Sequence, residues 1–547
     1  MMDKSLIKSI ENSLKDHWDL PALSDYKGST YHYKDLARNI AKIHILFEQG
    51  GLKQGDKVAI CGKNSANWGI AFLATITYGA VAVPILNEFK PDNIHNIVNH
   101  SESHFFFANA SVWENMNCEL MPTVDTFILM NDFSIIKSRQ KHLYDVRETL
   151  NEHFGKKYPK DFGSENVSFF VENPEDLAMI NYTSGTTGFS KGVMLPYRCL
   201  YNNMVFAYEV LSELQAGDIV VSMLPTAHMY GFSFEFLYEI IAGCHVQFLT
   251  RTPSPKVILG AFAELKPRLI VTVPLILEKI YKKTLIPKLS SPIMRTLLHI
   301  PVVDKQIRSK INKELTKVFG GNFIEVIIGG AAFNPEIESF FKKIGFRYTV
   351  GYGMTECGPI ITYDGWKNNR LYSCGKITVN MEMRIDSPDP QHIVGEVLVK
   401  GSNVMLGYFK NEEATRNQTT SDGWMKTGDL GVIDQDGYLY LKGRNKNLIL
   451  GPSGQNIYPE EIESKINTST YVLESLVVEQ GGKIVALVYP DFELLKEEHK
   501  NPETTMDEIL TLVNAELPSY SQISTIKIHP EEFEKTPKRS IKRFIYQ

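Results

Sequence analysis

Cysteine is scarce in this 547-residue sequence, and Cys61, Cys118, Cys199, Cys244, Cys357 and Cys374 are scattered without a C-x-x-C pair. That spacing offers neither a zinc site nor a disulfide framework and fits reduced thiols in a cytoplasmic protein. Long apolar runs are also missing. The longest, Leu269 to Leu277, contains Thr272 and Pro274 and falls well short of the roughly 20 residues a membrane-spanning helix needs. Residues 1–21 are charged throughout and have no apolar stretch of the kind a secretory signal carries. Basic residues are not in excess: the net charge is −5 and the pI about 6.3, so no broad positive field is present to recruit nucleic acid. Internal repeats and low-complexity tracts are absent as well. What is there is an ordinary globular composition, 43% hydrophobic and 22% charged. A single core rarely grows to this length, so two or more domains are expected.

The first section alternates helix and strand. Leu36, Ile40, Ile43 and Leu46 fall at helical spacing within Tyr33 to Gln49. Val58 to Gly62 is a short apolar strand, Trp68 to Tyr78 an apolar helix with Gly79 as its stop, and Ala80 to Ile85 the next buried strand. Such alternation predicts an α/β fold with parallel sheets covered on both faces.

The stretch that carries the most chemistry is Thr183-Ser184-Gly185-Thr186-Thr187-Gly188-Phe189-Ser190-Lys191, directly after the apolar run Leu177 to Ile180. Glycines let backbone N–H groups approach anionic oxygens. The hydroxyls, Thr186 among them, can donate to phosphate or ligate a metal, and Lys191 adds a point charge. The G-x-x-x-x-G-K-[ST] spacing of a Walker A loop is not met. Downstream, His228 sits in an aromatic, glycine-containing turn, where alone it would read as a packing histidine. Gly329-Gly330-Ala331-Ala332 follows an apolar strand, and such small residues suit a flat ring such as adenine. Tyr352, Gly353, Thr355 and Glu356 then place an aromatic ring, a hydroxyl and a carboxylate among glycines. Asp429, beside Gly428, is a carboxylate suited to ribose hydroxyls, with the fixed donors of Arg444 following.

In this order, these motifs resemble the adenylate-forming superfamily, and Leu269 to Tyr281 is similar to its long-chain fatty-acid–CoA ligase branch. The resemblance implies a large N-terminal domain of αβ sheets with a β-rich subdomain, over residues 1–445. A small, mobile α+β C-terminal domain over 446–547 would pivot near Lys446. It further implies ATP, Mg²⁺ and CoA. In that scheme Thr183, Ser184, Gly185, Thr187 and Gly188 wrap phosphate, Thr186 and Glu356 hold the metal, and Gly330, Ala331 and Gly353 border the base. Tyr352 stacks on adenine, Thr355 contacts the α-phosphate, His228 lines the acyl pocket, and the loop ending at Gly454 borders the pantetheine tunnel. One position departs from the family pattern. Where relatives carry a catalytic lysine near the C-terminus, this chain has Ser540, flanked by Lys538 and Lys542. A serine cannot supply positive charge between a carboxylate and a phosphate.

The activity implied is activation of a medium- to long-chain fatty acid as acyl-AMP, followed by transfer to CoA. Two alternatives stay open: transfer to an acyl-carrier protein, and a nucleotide- and acyl-holding homologue that has lost the first step. The segment 281–315 carries eight Lys/Arg against Asp304 and Glu314, which reads either as a solvated helical face or as a peripheral contact with anionic lipid.

Overall fold

The computed structural model describes residues 5–183, 190–250, 254–282, 301–451, 455–536 and 541–547, without the side chains of 301–303. The site is built around an eight-stranded sheet. Its spatial order is Gly407–Tyr408, Lys191–Pro196, Leu177–Thr183, Val81–Ile85, Lys57–Cys61, Ser103–Ala108, Thr126–Leu129 and Ser134–Ser138. The run from Leu177–Thr183 to Thr126–Leu129 is parallel. Both edges are antiparallel, unlike the purely parallel sheet expected from the alternation. For Ser134–Ser138 and Lys191–Pro196 the reason is local, since a strand that turns back after a short connection pairs antiparallel; Gly407–Tyr408 joins its edge from far along the chain.

The crossover helices follow their sequence signals. Tyr33–Gln49 forms one helix whose Leu36, Ile40, Ile43 and Leu46 are all buried. Ala66–Tyr78 starts at Ser65, whose side chain accepts from Trp68 N, and ends at Gly79 with φ +88°. That left-handed conformation is nearly free of strain only for glycine. Apart from Asn67 and the final Tyr78 every residue of this helix is buried, so it is apolar nearly all round.

A four-stranded sheet (Ile219–Ser222, His245–Phe248, Pro21–Asp25, Thr30–His32) and a three-stranded parallel sheet (Ile270–Thr272, Val326–Ile328, Tyr348–Val350) flank the first. A parallel bridge between Val220 and Leu269 connects these two. Met381–Asp386, Gly395–Gly401, Met425–Ile433 and Leu439–Arg444 form an antiparallel sheet, the β-rich part of the large domain. The last sheet, Val472–Gln480, Lys483–Pro490 and Thr525–Ile528, packs against helices Pro459–Ile466 and Pro502–Glu516 around its own core, including Ile462, Val477 and Ile509. Pro459 stands at the first turn of its helix, where its missing N–H costs nothing.

Among the described residues no helix is long and apolar enough to cross a membrane. Of the basic segment 281–315, residues 283–300 lie outside the described residues. Tyr281 and Lys282 follow the helix Pro274–Ile280, and 301–315 belong to the helix Pro301–Val318, which buries Leu315 and packs Ile311 on the neighbouring core.

Candidate active site

The glycine- and threonine-rich stretch lies in sequence between two paired strands. Strands Leu177–Thr183 and Lys191–Pro196 pair antiparallel with Thr183 opposite Lys191, so the two ends of the loop are held side by side. Ser184, Gly185, Thr186, Thr187 and Gly188 lie outside the described residues, as do Gly454, Lys538 and Ser540. Lys191 projects its ammonium over the Tyr408 ring, 4.7 Å from the centroid. Tyr408 comes from the edge strand Gly407–Tyr408, which pairs with the Lys191 strand.

The His228 turn is fastened by three side chains. Asn64 Oδ1 accepts from Thr226 N at 2.9 Å and Thr226 Oγ1 at 3.1 Å, while Asn64 Nδ2 donates to Leu224 O at 2.6 Å. Asn181, from the strand that leads into the loop, donates to Ala227 O at 2.9 Å. Glu235 Oε2 accepts from Met223 N at 3.0 Å and Leu224 N at 2.8 Å. Glu235 is fully buried, and this desolvation pushes its pKa well up. His228 caps the short helix Met229–Phe232, its Nδ1 accepting from Tyr230 N at 3.3 Å. A neutral ring in that role carries its proton on Nε2.

Gly330 and Ala331 follow Val326–Ile328 and are exposed, with Gly330 at φ +84°. Tyr230 lies beneath: its hydroxyl donates to Ile327 O at 3.1 Å, and a Cβ on Gly329 would stand 3.0 Å from its ring. Gly353 is equally constrained, because a Cβ there would overlap the Pro359 carbonyl.

Asp429 is buried and doubly held. Tyr352 donates its hydroxyl to Asp429 Oδ2 at 2.6 Å, and Arg444 Nε donates to Oδ1 at 3.0 Å. Strand register sets the second contact, since Asp429 and Arg444 face each other across the ladder. The Asp429 charge in turn raises the Arg444 pKa. Thr355 is buried beside these groups in sequence, and Glu356 Oε1 accepts from Tyr408 O–H at 2.9 Å. The structure thus brings Tyr352, Asp429 and Arg444 into one cluster and links Glu356 with Lys191 through Tyr408.

Lys446 stands next in the chain, its pKa lowered by burial and by the neighbouring Arg444. Lys542 pairs with Glu534 at 3.1 Å, a contact within the C-terminal segment. Arg543 bonds to Glu463 and to Val477 O.

Among the described residues no group of three or more His, Cys, Asp or Glu is arranged to hold a metal. A lone carboxylate such as Glu356 suits Mg²⁺ that arrives with a nucleotide, because that ion keeps phosphate oxygens and waters as its other ligands. Asn64, Asn181, Glu235 and Tyr408 were not singled out from the sequence. Asn181 inside an apolar strand, and Glu235 inside the run Phe232 to Ile241, were readable as buried polar groups that need partners.

Residues 10–409 match the family described as AMP-binding enzyme, and residues 446–546 match the AMP-binding enzyme C-terminal domain. Long-chain-fatty-acid–CoA ligase 5 of Rattus norvegicus is 28% identical over 541 residues, covering 88% of this chain and 76% of the relative. The peroxisomal long chain acyl-CoA synthetase 6 of Arabidopsis thaliana is 28% identical, covering 87% and 70%. ATP-bound MatB from Rhodopseudomonas palustris has the same fold at 22% identity, with a TM-score of 0.78 over 100% of this chain and 98% of that one. A match spanning residues 10–409 makes the chain a member of the AMP-binding enzyme family, the adenylate-forming superfamily its motifs resemble.

Proposed function

We propose that the chain activates a medium- to long-chain fatty acid with ATP and passes it to CoA, releasing AMP and pyrophosphate. The observation that carries the reading is the Tyr352–Asp429–Arg444 cluster beside the Glu356–Tyr408–Lys191 link. The first offers a carboxylate to a ribose, the second a cation and a carboxylate to a triphosphate and its metal. Mg²⁺ bound through Glu356, with Thr186 as a second candidate ligand, would neutralise charge on the phosphates. Lys191 would hold phosphate oxygens, and the His228 turn would orient the acid so that its carboxylate meets the α-phosphate in line. Similarity to two long-chain acyl-CoA synthetases supports the fatty acid and the CoA acceptor.

Domain 446–547 is proposed to pivot near Lys446 and so to let one site serve both steps. Ser540 leaves the usual lysine charge missing, and Lys542, paired with Glu534, is not free to replace it without breaking that pair. The test is ATP–pyrophosphate exchange with carboxylates from acetate to palmitate, on wild type and Ser540→Lys. Exchange with one chain-length optimum is expected. Absence of exchange in wild type together with recovery in Ser540→Lys would mean that this chain has lost its adenylation step. Absence in both would remove the reading.

A further inference from the structure

Lys191 and Glu356 bear opposite charges and touch the same tyrosine, yet among the described residues neither forms an ion pair. The Tyr408 phenol lies between them: its face receives the Lys191 ammonium at 4.7 Å from the centroid, and its hydroxyl donates to Glu356 Oε1 at 2.9 Å. We propose that Tyr408 is a positioning residue that keeps the Lys191 ammonium and the Glu356 carboxylate apart, so that each remains available to nucleotide and metal. The proposal rests on the nucleotide-binding reading above.

Three features fix the tyrosine in that place. Its backbone pairs with the Lys191 strand, with Tyr408 opposite Val193 and Gly407 opposite Met194. Tyr408 N donates to Thr415 Oγ1 at 2.9 Å, and Met405 N donates to the Glu356 carbonyl at 2.9 Å. The side chain is 4% exposed, so the ring has little room to swing away. The same short segment is therefore tied both to the strand of the cation and to the backbone of the anion.

The chemistry follows from the two contacts. A cation over an aromatic face is attracted without being neutralised, so it can still bind a phosphate. A carboxylate with one oxygen held by a neutral donor keeps its charge and presents the other oxygen in a fixed direction. Partners of this outer kind tune metal affinity about 10- to 100-fold. Gln418 Oε1 also lies 3.4 Å from the phenol oxygen, but the single hydroxyl proton serves the nearer, charged Glu356. A direct Lys191–Glu356 pair, which the intervening ring forestalls, would neutralise both charges and mask them from a ligand.

The two contacts can be removed separately. Tyr408→Phe keeps the ring and deletes the hydroxyl; Tyr408→Leu deletes both. Equilibrium binding of ATP is measured with EDTA and across a Mg²⁺ titration, alongside thermal unfolding. For Tyr408→Phe, metal-free ATP binds within about twofold of wild type while the Mg²⁺ needed for half-maximal enhancement rises about tenfold. For Tyr408→Leu, metal-free ATP binding weakens too, and that extra loss vanishes in a Lys191→Ala background. A structural role alone would lower the melting temperature without splitting the two titrations. Coincident Mg²⁺ titrations for wild type and Tyr408→Phe, or undiminished metal-free binding by Tyr408→Leu, overturn the proposal while leaving nucleotide binding intact. Wild-type protein that binds no ATP overturns the functional reading and this proposal together.

Discussion

Lys282 is the residue whose removal should change the molecule most for the fewest atoms. It follows Ile280 in the helical stretch that begins at Pro274, in the large domain. Its Nζ donates to three carbonyls of the C-terminal segment: Asn467 at 3.1 Å, Ser469 at 3.3 Å and Val472 at 3.2 Å. An ammonium has three protons, and here all three are used. Asn467 caps the helix Pro459–Ile466, so the cation sits at the end where the helix dipole is negative. Burial lowers the Lys282 pKa, which records the cost of drying the charge. Hydrogen bonds to a charged group contribute ~1.5–3 kcal/mol each, but the desolvation of a buried ion offsets several kcal/mol of that sum. The net hold of the C-terminal domain is therefore set at ~1–3 kcal/mol, about a 5- to 150-fold preference for this orientation.

Lys282→Met keeps most of the apolar stem and removes the charge, leaving the Asn467 and Val472 carbonyls to find water while Ser469 O retains Val472 N at 3.2 Å. The distance distribution between one spin label on each domain should broaden, and protease should cut near the proposed pivot at Lys446 about 5- to 150-fold faster under conditions where opening precedes cleavage. Lys282→Arg should rescue only in part, because a planar fork does not match three convergent acceptors as an ammonium does. Identical distance distributions and cleavage rates for wild type and Lys282→Met would refute the reasoning.

Burial pushes the Glu239 pKa up from 4.5 to about 8, and among the described residues neither of its oxygens has a hydrogen-bond partner. The folded state therefore binds the extra proton between those values, so stability is full below pH 4.5 and falls as pH rises towards 8, with a slope up to ~1.4 kcal/mol per unit. Urea unfolding from pH 5 to 8 should show that fall, and Glu239→Gln should make it shallower by up to ~1.4 kcal/mol per unit, leaving the part contributed by other buried acids such as Glu235. Asn64→Ala strands the amide of Thr226 and the carbonyl of Leu224; a loss of ~1–3 kcal/mol in unfolding free energy is expected, together with weaker carboxylate-dependent exchange. Tyr352→Phe removes a 2.6 Å hydrogen bond to the buried Asp429 and should lower unfolding free energy by ~1.5–3 kcal/mol in denaturant titration.

Local structure was readable wherever a local cause sets it. The helix Tyr33–Gln49 follows its apolar spacing, Gly79 ends its helix in the left-handed conformation, and Pro459 begins one. Motif order was also enough to recognise the superfamily, since each motif needs only a few adjacent residues. Contacts between motifs were not readable. Tyr352 and Asp429 are 77 residues apart, and their bond depends on how two sheets meet. Tyr408 reads as one aromatic residue after a glycine; only its pairing with the strand of Lys191 reveals what it touches. Register is a property of the assembled sheet, and single-sequence periodicity carries no information on which distant strand becomes a neighbour. Glu235 is the instructive intermediate. Its position in an apolar helix signals a buried acid that requires donors, yet the identity of those donors, Met223 N and Leu224 N, is tertiary.

The two ends of the proposed nucleotide site treat charge in opposite ways. At Asp429 the carboxylate is already bonded to Tyr352 and Arg444, so a ribose meets an acceptor whose orientation is fixed before binding. At Glu356 and Lys191 the charges are held apart by a neutral ring instead of paired. The difference matches what each end has to accept. A ribose is neutral and needs only directed acceptors, whereas a triphosphate with its metal brings both signs of charge and needs a cation and an anion that are not spent on each other. Donors and charges fixed in advance cost no reorganisation when a transition state forms, and an acid that must first break a salt bridge with its neighbouring lysine would lose that advantage. On this argument the tyrosine between Lys191 and Glu356 matters to the reaction for the distance it maintains, with no bond of its own to substrate.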